Sequence, residues 1–334
     1  MLLKKWIATT ILYSCQFAAM SAAPSPDNFM HTLSGDIKVR NLSLLGSHNS
    51  GTYALNTSMR ISPDEHGNFI YTIGNTPLIG TAAKRTLIKN WSQTQTRDIT
   101  AQLSDGVRFF DLRIAIDPQG KFRVCHGLYG PLIKQICNQI NNFLASHPQE
   151  IVLLDVQHMY DINGQQMTLD QQSQLVAKFQ QILGSKIASP SNGIDVTLAT
   201  LHQTKKQVII FWGNTVTANN FPTLLWDRSI FLSSLWPNAT SWAALRPILD
   251  QGTALQPQEQ FFVNQAILTP DAEMIISNLF KTLLSIEAKT NANVIQWYQQ
   301  KAAQKIIGNI LLLDNESTIC QEVFQISMNY NNQL

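Results

Sequence analysis

Short apolar runs alternate along the chain with polar turns and amphipathic stretches. Eight of the runs read as strands: 41–46 (NLSLLG), 107–116 (VRFFDLRIAI), 121–126 (KFRVCH), 150–157 (EIVLLDVQ), 207–212 (QVIIFW), 229–234 (SIFLSS), 260–268 (QFFVNQAIL) and 309–315 (NILLLDN). Several are nearly continuous in Val, Ile, Leu and Phe, the pattern of strands covered on both faces in parallel α/β sheets. Between them lie helical patterns. One runs from a capping Asp98 to Gly106, and another starts at Pro131 and stops before Pro148. Further helices are predicted over 169–184, 241–252 and 271–288, with a last one near 318–330.

The tight DPQG at 117–120 predicts an antiparallel hairpin between two strands. Strands otherwise alternate with helices, and no repeat or long linker divides the chain. This favours a single α/β domain over residues 24–334, a distorted TIM-type barrel. An open doubly wound sheet is the alternative, weakened by the lack of GxGxxG after a first strand.

Composition narrows the setting. The 334 residues carry a formal net charge of +2, and no basic stripe marks a nucleic-acid footprint. Residues 1–23 pair Lys4 and Lys5 with an apolar stretch and then small residues, the layout of a secretory signal peptide. A lipoprotein cleavage box before Cys15 is the minor alternative. Removal of that segment leaves Cys125, Cys137 and Cys320, an odd number that cannot all pair internally. Cys125 and Cys137 are a candidate pair. No CxxC or HxxxH spacing suggests zinc.

The polar residues sharpen the picture. His48 follows the first strand, Asp111 and Arg113 lie in the second, and His126 ends the third. Asp155 and Gln265 come late in their strands, and Asp314 ends the last. In a parallel barrel the strand ends converge on one mouth, where sites are built. Alternation puts Asp111 and Arg113 on one face. His31, His66, His147, His158 and His202 read as structural residues in loops or at helix ends, and no GxSxG presents a serine nucleophile. Two histidines suit proton removal from a hydroxyl and delivery to a leaving oxygen. An arginine fork suits phosphate oxygens, and a carboxylate such as Asp314 would fix a histidine tautomer. Together they point to phosphodiester cleavage by intramolecular attack.

The blocks LLGSHNSGTY, WSQTQ (91–95), QLSDGVRFFDLRI, CHGLYG, FLASHPQEIVLLDVQHMY and NQAILTP resemble, in order, the phosphatidylinositol-specific phospholipase C X-domain family, above all its short X-domain-only members. The resemblance implies a distorted barrel that cleaves phosphatidylinositol-type lipids to diacylglycerol and a cyclic inositol phosphate. By carry-over, His48 would be the general base and His126 the general acid. Arg113 would bind phosphate, Asp111 would anchor the cluster, and Asp314 would orient the base. Asn49, Asp155 and Gln265 would touch substrate.

Asn49 departs from the Asp that metal-independent bacterial members place after the first histidine. Calcium-dependent members have Asn there, so Asn49, Asp111 and Asp155 form a candidate calcium set. Arg113 stands where those enzymes place another acid. No cofactor is therefore favoured, with calcium as the alternative. The competing functions are cleavage of a glycerophosphodiester or another phospholipid, and an inactive phosphoinositide-binding module. A lipid substrate implies a membrane surface, with Trp91, Trp226, Trp236 and Trp242 as candidate contacts. No protein partner is implied.

Overall fold

A computed structural model describes residues 24–65 and 80–334. Ten strands form one sheet: β1 (Leu44–Ser47), β2 (Val107–Ile116), β3 (Phe122–His126), β4 (Leu128–Leu132), β5 (Val152–Tyr160), β6 (Val208–Trp212), β7 (Trp226–Asp227), β8 (Leu232–Ser234), β9 (Phe261–Gln265) and β10 (Ile310–Leu313). Eight of them lie in the order β7-β6-β5-β2-β1-β10-β9-β8, and every neighbouring pair is parallel. Among the described residues no ladder joins β7 to β8, so this is a barrel open along one seam. The helical turn Arg228–Phe231 connects the two seam strands. β3 pairs antiparallel with β2 through the 117–120 turn, the predicted hairpin, and β4 extends this excursion by pairing antiparallel with β3.

The strand period of two sorts the side chains. Leu44, Phe109, Leu153, Phe211, Phe261 and Leu312 belong to an inner apolar cluster shared with Phe29, Met30 and Val39 of the N-terminal segment. Leu45, Phe110, Leu154, Ile210 and Leu311 belong to the outer cluster under the helices. The inward series changes character along each strand. Leu44 and Gly46 lead to His48, Phe109 leads to Asp111 and Arg113, and Leu312 leads to Asp314. The barrel is thus dry where its strands begin and polar where they end.

The dry end is fastened by a fully buried ion pair. Arg108 Nε donates to Glu150 Oε2 at 2.9 Å, Nη1 donates to the backbone carbonyls of Leu103 and Val107, and Nη2 donates to those of Pro26 and Asp27. Glu150 Oε1 in turn accepts from the Met30 N–H. The Arg of GVRFF and the Glu of HPQE are therefore structural partners.

Several elements differ from the sequence expectation. Residues 228–231 are helical, started by the Asp227 side chain accepting from the Ser229 N–H, so the expected strand shrinks to 232–234. Pro131 belongs to β4, and its helix starts at Ile133. The expected 271–288 helix is two helices, Ala272–Ser277 and Leu283–Ala303, the second capped by Thr282. The helix Thr81–Ser92 and strands β4 and β7 were not expected. Cys125 packs with Ala115 and Tyr129 while Cys137 sits in the outer core, and no disulfide joins them. The leader expected at residues 1–23, and His66, lie outside the described residues. No helix among the described residues is long and apolar enough to cross a membrane.

Candidate active site

His48 extends β1 by one residue, its N–H donating to Leu313 O of β10 at 2.9 Å. The chain then turns through Asn49, whose φ of +43° lies in the left-handed region that Asn tolerates. The turn is held to β2, with the Asn49 N–H donating to Asp111 Oδ2 at 3.1 Å and the Ser50 N–H to Asp111 O at 2.9 Å. His48 Nδ1 lies 2.7 Å from Asp314 Oδ1, so the carboxylate accepts Nδ1–H and Nε2 is left as an acceptor, which in the free protein takes an N–H of the Asn49 side chain. Nε2 faces the Asn49 amide at 3.0 Å and Asp111 Oδ2 at 3.7 Å. Burial pulls the His48 pKa down, but Asp314 and then Asp111 outweigh it, and the net shift is upward.

The WSQTQ block supplies the backing. Gln95 Nε2 donates to both His48 O (3.1 Å) and Leu313 O (2.8 Å), and Thr94 Oγ1 donates to His48 O at 2.9 Å. One side chain thereby staples the His48 turn to the strand end that carries Asp314.

His126 arrives from the excursion. β2 runs well past the barrel end, and β3 returns so that the His126 ring lies 6.4 Å from that of His48. Its Nδ1 donates to Ser92 O at 2.6 Å. The next residue, Gly127, has φ +66°, and a Cβ there would lie 2.5 Å from Ser92 Oγ, so only glycine allows this approach. Burial, followed by the Arg113 charge, lowers the His126 pKa to about 4.

Between these groups is a cavity of about 330 Å³. His48, Asp111, Arg113, Asp155 and Gln265 all line it, as the sequence predicts. Asp314 stands behind His48, His126 stands beside the cavity, and Asn49 is buried against His48 rather than on the wall. Gln265 Nε2 donates to Ser234 Oγ at 2.9 Å. Three wall residues escaped the sequence reading, Gln157, His158 and Ser234, and so did Arg228, which holds the wall carboxylate of Asp155. His158 lies on β5, not in a loop, and faces the cavity because a bulge opposite Leu112/Arg113 shifts the register. Burial and the Arg113 charge lower its pKa to about 4, so it is a neutral wall group at pH 7. Arg228 was hidden because its strand-like stretch is a helical turn at the seam.

The tryptophan expectation is corrected. Trp91 and Trp226 are buried and Trp242 packs against the outer core, whereas Trp236 is exposed at the cavity, 5.6 Å ring to ring from His48.

The calcium set can be tested on its donors. Asn49 Oδ1 is buried without a hydrogen-bond partner, as an available ligand would be. Both Asp155 oxygens, however, accept from Arg228 Nε at 2.8 and 3.2 Å. Burial still outweighs that guanidinium and raises the Asp155 pKa to about 6. Arg113 adds a second fixed positive charge on the same wall. Calcium needs about six to eight oxygen ligands. With Asp155 engaged and Asn49 off the wall, these residues do not fit it.

Residues 65–213 match the family described as phosphatidylinositol-specific phospholipase C, X domain. The human PI-PLC X domain-containing protein 3 is 30% identical over 286 residues, covering 83% of this chain and 84% of the relative. The chain belongs to this X-domain family. The zebrafish (Danio rerio) protein of the same name is 29% identical, covering 85% of each chain. Among solved structures, the phosphatidylinositol-specific phospholipase C of Listeria monocytogenes superposes with a TM-score of 0.63 at 16% identity, covering 91% of this chain and 98% of its own. A Staphylococcus aureus phosphatidylinositol-specific phospholipase C gives 0.65 at 17% identity, covering 93% and 98%. These likenesses show the X-domain barrel fold.

Proposed function

We propose that this X-domain protein cleaves phosphatidylinositol-type lipids by paired histidine acid–base catalysis without a metal. The observation that carries the reading is the His48–Asp314 pair, with His48 on the wall of the cavity that Arg113 also lines. His48 Nε2 takes the proton of the inositol 2-hydroxyl, and the oxygen attacks phosphorus while Arg113 binds the phosphate oxygens. The bond from phosphorus to the diacylglycerol oxygen breaks, and that oxygen takes a proton from His126. Diacylglycerol and a cyclic inositol phosphate result. The proton left on Nε2 has two acceptors in reach, the Asp111 carboxylate and, once the amide turns over, Asn49 Oδ1.

His126 must carry a proton to serve as the acid, yet beside Arg113 it is neutral at pH 7. A bound phosphate offsets the Arg113 charge and so raises the His126 pKa where the proton is needed. The same depressed value is what favours the second reading, lipid binding without turnover.

Membrane contact has support at the same end of the barrel. Leu235 and Trp236 follow β8, and Ile276, Leu279 and Phe280 follow β9, all exposed and Phe280 completely so. We include export in the proposal, on the leader-like pattern of residues 1–23.

Vesicles of labelled phosphatidylinositol test the reading. Release of inositol phosphate by the unaltered protein, lost in His48→Ala and His126→Ala, supports it. Equal vesicle binding by all three proteins with no release supports the binding module instead.

A further inference from the structure

We propose that Asp105, Glu316 and Cys320 form a zinc-type cation site on the outer side of β1, behind the His48 turn. Two stretches distant in sequence meet there, one carrying Asp105 and the other Glu316 and Cys320. Asp105 ends the helix Ile99–Ser104, Glu316 opens the turn after β10, and Cys320 begins the C-terminal helix Cys320–Asn331. Their donor atoms all lie within 4.8 Å of one another, and all three residues are buried.

Glu316 supplies the second, independent observation. It is completely inaccessible, and neither carboxylate oxygen has a hydrogen-bond partner. Among the described residues, Glu150 is paired with Arg108 and Glu287 has one oxygen accepting from the Leu268 N–H, whereas Glu316 has neither oxygen bonded. A buried carboxylate with no partner is costly, so it must either hold a proton or meet a cation. The nearby cation, Arg97, lies 2.9 Å from Asp105 Oδ2. Burial and the neighbouring Asp105 charge, against the pull of Arg97, raise the Glu316 pKa to about 8. Burial and the same carboxylates raise the Cys320 thiol to about 12. A bound cation inverts both effects, because it is the largest local charge and displaces the protons.

The donor set selects the ion class. Calcium and magnesium take oxygen, whereas a thiolate with two carboxylates suits zinc and its relatives. Asp105 and Cys320 each keep a few per cent of their surface exposed, which gives a path for the ion and for a water as fourth ligand. The role is structural. The Glu316 N–H donates to Gln95 Oε1 at 3.3 Å, and the same Gln95 holds His48 O, so an ion there would brace the loop carrying Asp314.

The test needs no lipase assay. The full chain, stripped by chelator and dialysed, is titrated with Co²⁺ and then Zn²⁺. The expected result is a single cobalt per chain with a thiolate-to-cobalt charge-transfer band, displaced by zinc. The band should vanish in Cys320→Ser, and zinc should bind at least about tenfold more weakly in Glu316→Gln. His48→Ala and His126→Ala should keep the band, which separates this site from the histidines of the cavity. Thermal melting identifies folded variants. A folded unaltered chain that shows no thiolate band, or a band that survives in Cys320→Ser, overturns the proposal.

Discussion

The imidazole of His48 and the carboxylate of Asp314, 266 residues apart in sequence, lie 2.7 Å from each other. The barrel makes the contact, because β1 and β10 are paired in register from Leu44 with Ile310 to Ser47 with Leu313, so the residues just past both strand ends meet. Asp314→Asn keeps the shape but loses the acceptor that fixes Nδ1–H. Turnover should fall by about 10²–10⁴-fold with little change in KM. Steady-state kinetics on phosphatidylinositol check this, and an unchanged turnover number would remove Asp314 from the mechanism.

The pH dependence follows from two opposite shifts. His48 must be neutral and its pKa is raised, whereas His126 must be protonated and its pKa is about 4. The two required forms are thus reversed in the free protein, and kcat/KM should fall as pH rises through a midpoint above 6.5. The folded-state protonation of His48 is stabilising, present fully below the unfolded value near 6.5 and lost as pH rises through the folded one. Asn49→Asp adds a negative charge beside Nε2 and should move this alkaline limb to higher pH, whereas Asp314→Asn should move it lower. The pH profile of kcat/KM reads both displacements.

His126 gives a separate pH signature. Burial and then the Arg113 charge hold its pKa at about 4 in the free protein, and a bound phosphate would offset that charge. The alkaline limb of kcat, which reports the substrate complex, should therefore lie at higher pH than that of kcat/KM. Arg113→Gln removes the depressing charge, so His126 in the free variant should titrate at higher pH by imidazole NMR.

Much of this site was legible because it lies on the strand period. His48, Asp111, Arg113, Asp155, Gln265 and Asp314 each end an inward-facing apolar series, and that placement can be read without coordinates. What escaped depends on departures from the period. His158 reaches the cavity through a bulge, and Arg228 comes from a helical turn at the open seam whose SIFLSS sequence imitates a strand. Gln95 acts by hydrogen bonds to carbonyls of two separate strands, which leave no spacing pattern. The GVRFF and HPQE blocks were legible as family marks, but their Arg108 and Glu150 hold the opposite end of the barrel.

That buried pair makes a stability prediction. Arg108→Met leaves Glu150 charged and unpaired, and should cost about 3–5 kcal/mol. The double variant Arg108→Met with Glu150→Leu should recover much of the loss. Urea unfolding of the single and double variants checks the coupling.

The exposed rim should act on membranes and not on chemistry. Leu279→Ser with Phe280→Ser removes two side chains that touch solvent in the free protein. Vesicle binding should weaken severalfold, while turnover of a short-chain, monomeric phosphatidylinositol stays within about twofold. Equal vesicle binding before and after the change would place the membrane contact elsewhere.

The central claim is intramolecular attack promoted by His48, and the chemical form of the first product tests it most directly. Phosphorus NMR of vesicles treated with the unaltered protein, in calcium-depleted buffer and with calcium added, should show the same early cyclic inositol phosphodiester in both. His48→Ala should show none. A first product that is acyclic from the outset, or one that forms only with calcium, would contradict the account.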